Sequence, residues 1–248
     1  MHRNLINQFR QLLEDSQYSV VFTGAGISTE SGIPDFRSPG GIWAQNKPIF
    51  FQDYISSETA RLEAWRRKFE IDKKMDMAKP NDGHLAIATL VNNSVVRRVI
   101  TQNIDGLHQA SGIPEELVIE LHGNTNYAKC LDCGTRYELQ PIKEAFLKHK
   151  TLPICSDCAG IVKTATISFG QPMPEQQMFE AKQEATNSDL LIVIGSSLVV
   201  FPAAALLPLA IDNGAKLIIL NRDKTDFDRA ADLSIHAEIG ITLNALIQ

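Results

Sequence analysis

Tyr18-Ser19-Val20-Val21-Phe22-Thr23-Gly24-Ala25-Gly26 is a short β-rich run that ends on a pair of glycines. Apolar residues follow one another here without polar alternation, the pattern of a strand covered on both faces. Similar runs recur at residues 95–101, 118–121, 165–169, Leu190–Ile194 and Lys216–Leu220. Helical patterns lie between them at 83–92, 174–187 and 202–213. Such alternation predicts an α/β fold built on a doubly wound parallel sheet. Ahead of the first strand, Leu5, Ile6, Phe9, Leu12 and Leu13 have helix spacing, which favours a folded helix over a signal peptide.

The 248 residues fit one large domain with a small satellite. With 24 basic against 29 acidic residues the net charge is −5, so the general basic footprint of a nucleic-acid binder is missing. The longest apolar run, residues 199–211, is interrupted by Pro202 and Pro208, so no membrane span is expected. Two stretches break the strand–helix rhythm. The predicted organisation is therefore a large domain made of 1–39, 80–125 and 164–248, a helical insertion at 40–79, and a cysteine-bearing insertion at 126–163.

All four cysteines lie in that second insertion, as Cys130-x-x-Cys133 and Cys155-x-x-Cys158. Each pair turns two thiolates toward one ion, and two pairs close a tetrahedral site that suits zinc. Free buried thiols or a redox pair are the plainer alternatives; two complete pairs with no cysteine left over favour one structural zinc. Four sulfurs leave no open position for water, so the metal is expected to hold the lobe and do no chemistry. Paired cysteines of this kind, without a targeting signal, suit a reducing cytoplasm.

The glycine loop Gly24-Ala25-Gly26-Ile27-Ser28-Thr29 follows a strand, and bare backbone there can approach a pyrophosphate, with a following helix N-terminus to favour its charge. Alone it is weak. Thr29 stands where a dinucleotide fingerprint has its third glycine, and the acidic residue expected about 20 positions on is missing. However, further polar clusters stand at other strand ends: Thr101-Gln102-Asn103-Ile104-Asp105-Gly106-Leu107-His108, Leu121-His122-Gly123-Asn124, Gly195-Ser196-Ser197-Leu198 and Asn221-Arg222-Asp223. Open α/β sheets bind ligands at those ends, so five clusters imply one shared crevice.

Together with Ile33-Pro34-Asp35-Phe36-Arg37-Ser38, these motifs make the chain resemble the sirtuins, the silent-information-regulator family of NAD-dependent protein deacylases, of the bacterial type. The resemblance implies a Rossmann-like domain and a small zinc domain, with NAD as co-substrate and an acyl-lysine peptide meeting between them. It implies that Gly24, Ala25, Gly26, Ser28 and Thr29 cradle phosphates and that Asp35, Phe36 and Arg37 belong to a loop over the nicotinamide ribose. Gln102, Asn103, Ile104 and Asp105 would hold nicotinamide and ribose. Gly195, Ser196 and Ser197 would hold phosphate or the adenine ribose, and Asn221, Arg222, Asp223 and Ile239 the adenosine end. His122 is the implied base, with Asn103 and Asp105 as catalytic partners. An imidazole suits the task because it titrates near neutrality. His108 reads as structural, and His84 as lying near a helix start.

Peptide binding is expected at Phe169-Gly170-Gln171 and at Val199-Val200-Phe201, which match the segments that sandwich substrate backbone in the family. Backbone pairing of this kind reads main chain more than side chains. Family members that prefer dicarboxyl acyl groups carry a Tyr-x-x-Arg pair on a helix of the first insertion. Here Trp65 and Lys68 take those places, either lining one pocket or forming a basic helix face with one packed tryptophan. A one-residue shift would bring Arg66 or Arg67 inward. Mono-ADP-ribosyl transfer on the same fold, or a non-catalytic sensor of NAD or ADP-ribose, remain alternatives at this stage.

Overall fold

The structure is a computed structural model and describes residues 2–35, 41 and 47–248. In chain order the first half contains α1 (His2–Asp15), β1 (Ser19–Thr23), a 3₁₀ turn (Ala25–Ser31), α2 (Phe51–Ser56), α3 (Glu58–Met75), α4 (Asp82–Asn92), β2 (Val96–Thr101), α5 (Leu107–Ala110) and β3 (Val118–Glu120). Then follow β4 (Gly123–Cys130), β5 (Arg136–Glu138), α6 (Leu139–His149), β6 (Val162–Thr166), α7 (Glu175–Asn187), β7 (Leu190–Ile194), α8 (Leu206–Asp212), β8 (Lys216–Leu220), β9 (Leu233–Ile235) and α9 (Ile239–Ile247).

Six of the strands form one parallel sheet in the order β3-β2-β1-β7-β8-β9. The order reverses between β1 and β7, the doubly wound Rossmann arrangement that the sequence pattern predicts. Both central strands are buried at every position, which explains their unbroken apolar runs. On one face α1, α4 and α9 contribute Phe9, Ile87 and Leu243 to a core with Val21 and Ile192. On the other, α7 and α8 contribute Ala181 and Leu207 against Phe22 and Val193.

Three expectations need correction. The run at 165–169 is not a strand of the parallel sheet: the strand there is β6, which ends at Thr166 and pairs antiparallel with β4 in a separate β5-β4-β6 sheet. Strands β4 and β6 thus run across the expected boundaries of the cysteine insertion, starting at Gly123 and ending at Thr166. The glycine loop enters a 3₁₀ turn and not an α-helix. Strand β9 and helix α9 lie outside the predicted elements: β9 has three residues, and α9 is apolar almost all round, which hides its period.

The two insertions share one core. Trp65 of α3 is 1% exposed and stacks on Phe69, with ring centroids 5.5 Å apart. Phe69 in turn meets Phe146 of α6 at 5.5 Å, and Ala128, Cys130, Cys155 and Val162 complete the cluster. Ser57 caps α3 by accepting from the Ala60 N–H, and Arg66 pairs with Glu63 and Glu70 on the solvent side. Trp65 is therefore the packed tryptophan of a basic helix, and not a wall of a substrate pocket.

The four cysteine sulfurs lie within 4.8 Å of one another. Cys130 and Cys158, Cys133 and Cys155, and Cys133 and Cys158 are each 3.5 Å apart, too far for disulfides. Four sulfurs about 2.3 Å from a tetrahedral zinc would be roughly 3.8 Å apart, so the donor set fits that ion. Replacing Cys155 with Ala should lower bound zinc from one per chain to none by elemental analysis. Trp65 emission should then shift to the red, because the metal holds the core on which it packs. Full zinc occupancy in this variant would contradict a four-sulfur site.

At the reversal point the Gly26 N–H donates to the Gly195 carbonyl at 2.7 Å. A Cβ on Gly26 would sit 2.7 Å from that carbonyl oxygen and 2.8 Å from the Gly195 Cα. Both neighbours are backbone and cannot swing aside. Gly26→Ala is expected to destabilise the fold by about 1–3 kcal/mol, read from the urea midpoint. An unchanged midpoint would show that the loop relaxes freely.

Candidate active site at the reversal of the sheet

The five polar clusters begin at one level because each extends its strand by one more ladder bond before turning away. Gly24 N donates to Ile194 O, Gln102 N to Thr23 O and Leu121 N to Thr101 O. Gly195 N donates to Leu220 O and Asn221 N to Ile235 O. The loops that follow wall a cleft of about 580 Å³, within the size range of cofactor sites.

Gly24, Ala25, Gly26, Thr29 and Asp35 form one wall, and Gly195, Ser196 and Ser197 the wall opposite. Asn221, Arg222 and Asp223 close one end together with Ile239, which starts α9. Gln102, Asn103, Ile104 and His122 line the other end. Ala25, Asn103 and Ile104 also line a smaller adjoining cavity of about 230 Å³, where Ser28 and Asp105 are found. Phe36 and Arg37 lie outside the described residues.

Side-chain bonds fix the shared corner of the two cavities. Gln102 Nε2 donates to Ser196 Oγ at 2.8 Å, a bond across the reversal point. Asn103 Nδ2 donates to the Gly24 carbonyl at 3.1 Å and to Ser28 Oγ at 3.2 Å. Ser28 Oγ donates to Asp105 at 2.7 Å, and the Leu107 N–H donates to the other Asp105 oxygen at 2.9 Å. Burial nevertheless holds the Asp105 carboxyl above the usual range, against the lowering effect of these donors.

His122 sits between β3 and β4, with its main-chain carbonyl accepting from Ile167 N at 2.8 Å. Its Nδ1 is 3.0 Å from the Gln102 carbonyl, which can only accept, so Nδ1 carries the proton and Nε2 is the basic nitrogen. The next residue must be glycine: Gly123 has φ +72°, and a Cβ there would collide with the Ala165 carbonyl. Asn124 is structural in this motif, donating to Glu120 and accepting from the Asn126 N–H.

Among the expected peptide contacts, Phe169, Gly170, Val200 and Phe201 line the larger cleft with Gln171. Gln171 Oε1 accepts from Ser168 N and so braces its own turn. Val199 is half exposed and is not among the residues that line the cleft. Lys68 does line the smaller cavity, but its ammonium is paired with Asp72. Trp65 faces the small core, while Ala64 and Arg67 line the cavity, which is the shifted register. Arg67 is in turn engaged by Glu63 and by the Lys47 carbonyl, each at 2.6 Å.

Sequence reasoning missed three residues that shape the site. Glu30 accepts from the N–H groups of Ile239 and Gly240, tying the glycine loop to the start of α9. Asn81 caps α4 and donates to the Ile27 carbonyl and Ser31 Oγ. Lys163 lines the smaller cavity, donating to the carbonyls of Thr164 and Thr166, and burial pushes its ammonium down to about 8. Asn81 ahead of a helix was readable as a cap. Nothing local in the sequence marks the other two.

Residues 24–202 match the profile of the Sir2 family. The chain is 50% identical over 242 residues to the NAD-dependent protein deacetylase of Rhodopseudomonas palustris, covering 98% of this chain and 96% of that one. It is 50% identical over 245 residues to NAD-dependent protein deacetylase 1 of Bradyrhizobium diazoefficiens, covering 99% and 96%. A solved structure of Sir2 with a p53 peptide and NAD⁺ is 37% identical and superposes with a TM-score of 0.86, covering 98% of this chain and 97% of that one. A matching profile over most of the chain, full-length relatives at half identity and the common architecture lead to one statement: this chain belongs to the Sir2 family.

Proposed function

We propose that the chain is an NAD-dependent protein-lysine deacylase, with acetyl-lysine as its preferred substrate and ADP-ribose as the acyl acceptor. One observation carries the reading: His122 presents Nε2 in the same cleft as the bare glycine backbone and the Asn103–Ser28–Asp105 cluster. The cleft fits NAD because Gly24, Gly26 and Gly195 leave no side chain between a pyrophosphate and the backbone. In this reading Ala25, Gly26, Ser28 and Thr29 take the phosphates. Gly195, Ser196, Ser197, Asn221, Arg222, Asp223 and Ile239 hold the adenosine half. Asp35, Gln102, Asn103, Ile104 and Asp105 hold the nicotinamide half.

Bound NAD would supply the ADP-ribosyl group that takes the acyl chain, and nicotinamide as the leaving group. The chain's own part is to orient, to exclude water and to move one proton. His122 Nε2 would take that proton from a ribose hydroxyl, while the Gln102 carbonyl keeps the ring in the correct tautomer. An extended acyl-lysine peptide would lie between residues 169–170 and 199–201 by backbone pairing. The sulfur cluster would hold one zinc and stay apart from the chemistry. Thiolate ligands persist in a reducing compartment, which supports a cytoplasmic location.

His122→Ala should keep the fold and lower deacylation by ~10²–10⁴-fold, measured as the amount of deacetylated peptide formed from an acetyl-lysine peptide and NAD. Turnover within tenfold of wild type would remove His122 from the base role. Mass spectrometry of the same reaction separates the rival chemistry, since the peptide loses an acetyl group here and would gain ADP-ribose in mono-ADP-ribosyl transfer.

Acyl choice follows from the smaller cavity. Ala64 offers no phenol, Arg67 is already shared with Glu63 and Lys47, and Lys68 is held by Asp72. A distal carboxylate would have to displace these partners, while apolar neighbours such as Ile33, Ile71 and Met75 suit a small acyl chain. We expect a higher kcat/KM for acetyl-lysine than for succinyl-lysine in one peptide. The reverse order would make Arg67 a carboxylate ligand.

A further inference from the structure

Behind the cleft lie two histidines that the reaction above does not use. His84 in the first turn of α4 and His108 in α5 are fully enclosed, with exposures of 0% and 1%. Their rings are 5.1 Å apart between centroids and tilted by 57°. Burial pushes the His84 imidazole down to about 4 and that of His108 to about 3, so both rings are neutral near pH 7. A neutral ring has one N–H and one bare nitrogen, and the surrounding bonds decide which is which.

His84 Nδ1 accepts from the Asn81 N–H at 3.4 Å, so its proton sits on Nε2. His108 Nε2 is 2.9 Å from Thr23 Oγ1, which is 2.8 Å from Thr101 Oγ1. Thr101 Oγ1 also accepts from the main-chain N–H of Asn103 at 3.0 Å. Among the described residues two buried imidazole nitrogens are then left without a partner: His84 Nε2 and His108 Nδ1. Were the His108 proton on Nδ1, both leftover atoms would be donors. With the proton on Nε2, His108 donates to Thr23 and Thr23 to Thr101. The bare Nδ1 then complements the Nε2–H of the neighbouring His84 ring. This second arrangement sets a donor against an acceptor between the two rings, where the first sets two donors against each other.

We propose that His108 and His84 form a positioning unit for the nicotinamide end of the cleft. The unit works in one direction: His84 to His108 to Thr23 to Thr101, which holds the main chain of Asn103. Asn103 in turn reaches the Gly24 carbonyl and Ser28. A second branch starts at the same ring. Asn81, whose N–H meets His84, donates to the Ile27 carbonyl and Ser31 Oγ on either side of Ser28. Both branches therefore converge on the Asn103–Ser28 contact from opposite sides. The proposal rests on the reading that Asn103 serves the nicotinamide half of NAD.

The tautomers can be read in the wild-type protein by ¹⁵N imidazole spectra at pH 7, with no reference to activity. Both histidines should be neutral and protonated on Nε2; a His108 protonated on Nδ1, or charged, would overturn the proposal. Two variants test the positioning. His108→Phe removes both nitrogens, and His108→Gln keeps a donor where Nε2 stood. His108→Phe should raise the KM for NAD roughly tenfold, the scale expected when a buried bonding partner is lost. The KM for an acetyl-lysine peptide should stay within about twofold, and the Kd for ADP-ribose, which lacks nicotinamide, should rise several-fold less than the KM for NAD. His108→Gln should restore most of the loss. A purely structural role would lower Tm and the folded fraction alike in both variants, with no split between NAD and ADP-ribose, and that result would refute positioning. If His108→Phe fails to fold, the spectra and His108→Gln still decide. If the wild type binds NAD by calorimetry but deacylates nothing, the functional reading fails, while the NAD-to-ADP-ribose split in Kd still tests this unit.

Discussion

The contact between Gly26 and Gly195 is the constraint on which the rest of the site depends. Two loops leave adjacent central strands in opposite directions, and a direct backbone bond of 2.7 Å joins them before they part. No side chain fits between them. The cleft can then open only outward, above this contact, with the two loops as its facing walls. Gln102 and Ser196 repeat the bridge one level higher with side chains. A doubly wound sheet supplies a crevice by topology; the paired glycines determine how narrow its floor is.

Polar groups in the floor are matched to one another before any ligand arrives. Asn103 commits its amide nitrogen to Gly24 and Ser28, and Ser28 commits its proton to Asp105. The orientations of the Asn103 and His122 side chains are likewise set by neighbours on different strands. Such preorganisation lowers the reorganisation needed during reaction. Asp105 carries a cost: with its carboxyl raised above the unfolded value by burial, the folded state holds its proton more tightly. Its contribution to stability is full at low pH and is lost as pH rises through the folded value.

Much of the large domain was legible because burial on both faces writes itself into the sequence. Leu190–Ile194 and Lys216–Leu220 occur as predicted, and the five polar clusters end up around one cleft. The cysteine spacing likewise announced its cluster. Where sequence reading failed, the deciding contacts were non-local. The run at 165–169 looked like a buried strand because apolar residues flank Thr166, yet its partner is β4 of the small sheet. Trp65 sits in a run of basic residues, and only the approach of Phe146 from another insertion shows which way it faces. Lys163 is a surface residue by type and a buried one by position. Glu30 and Ile239 are separated by 209 positions, beyond the reach of any periodicity.

The shared core of the two insertions has a mechanical consequence. The helical segment and the metal-bearing segment leave the large domain at separate places in the chain, then pack on the same aromatic cluster. Such a lobe is moored on several lines at once. Sliding or twisting would stretch some moorings while slackening others, whereas rocking about the line through the attachment points leaves all their lengths nearly unchanged. The lobe thus has one soft direction, built in by connectivity and not by any single flexible residue.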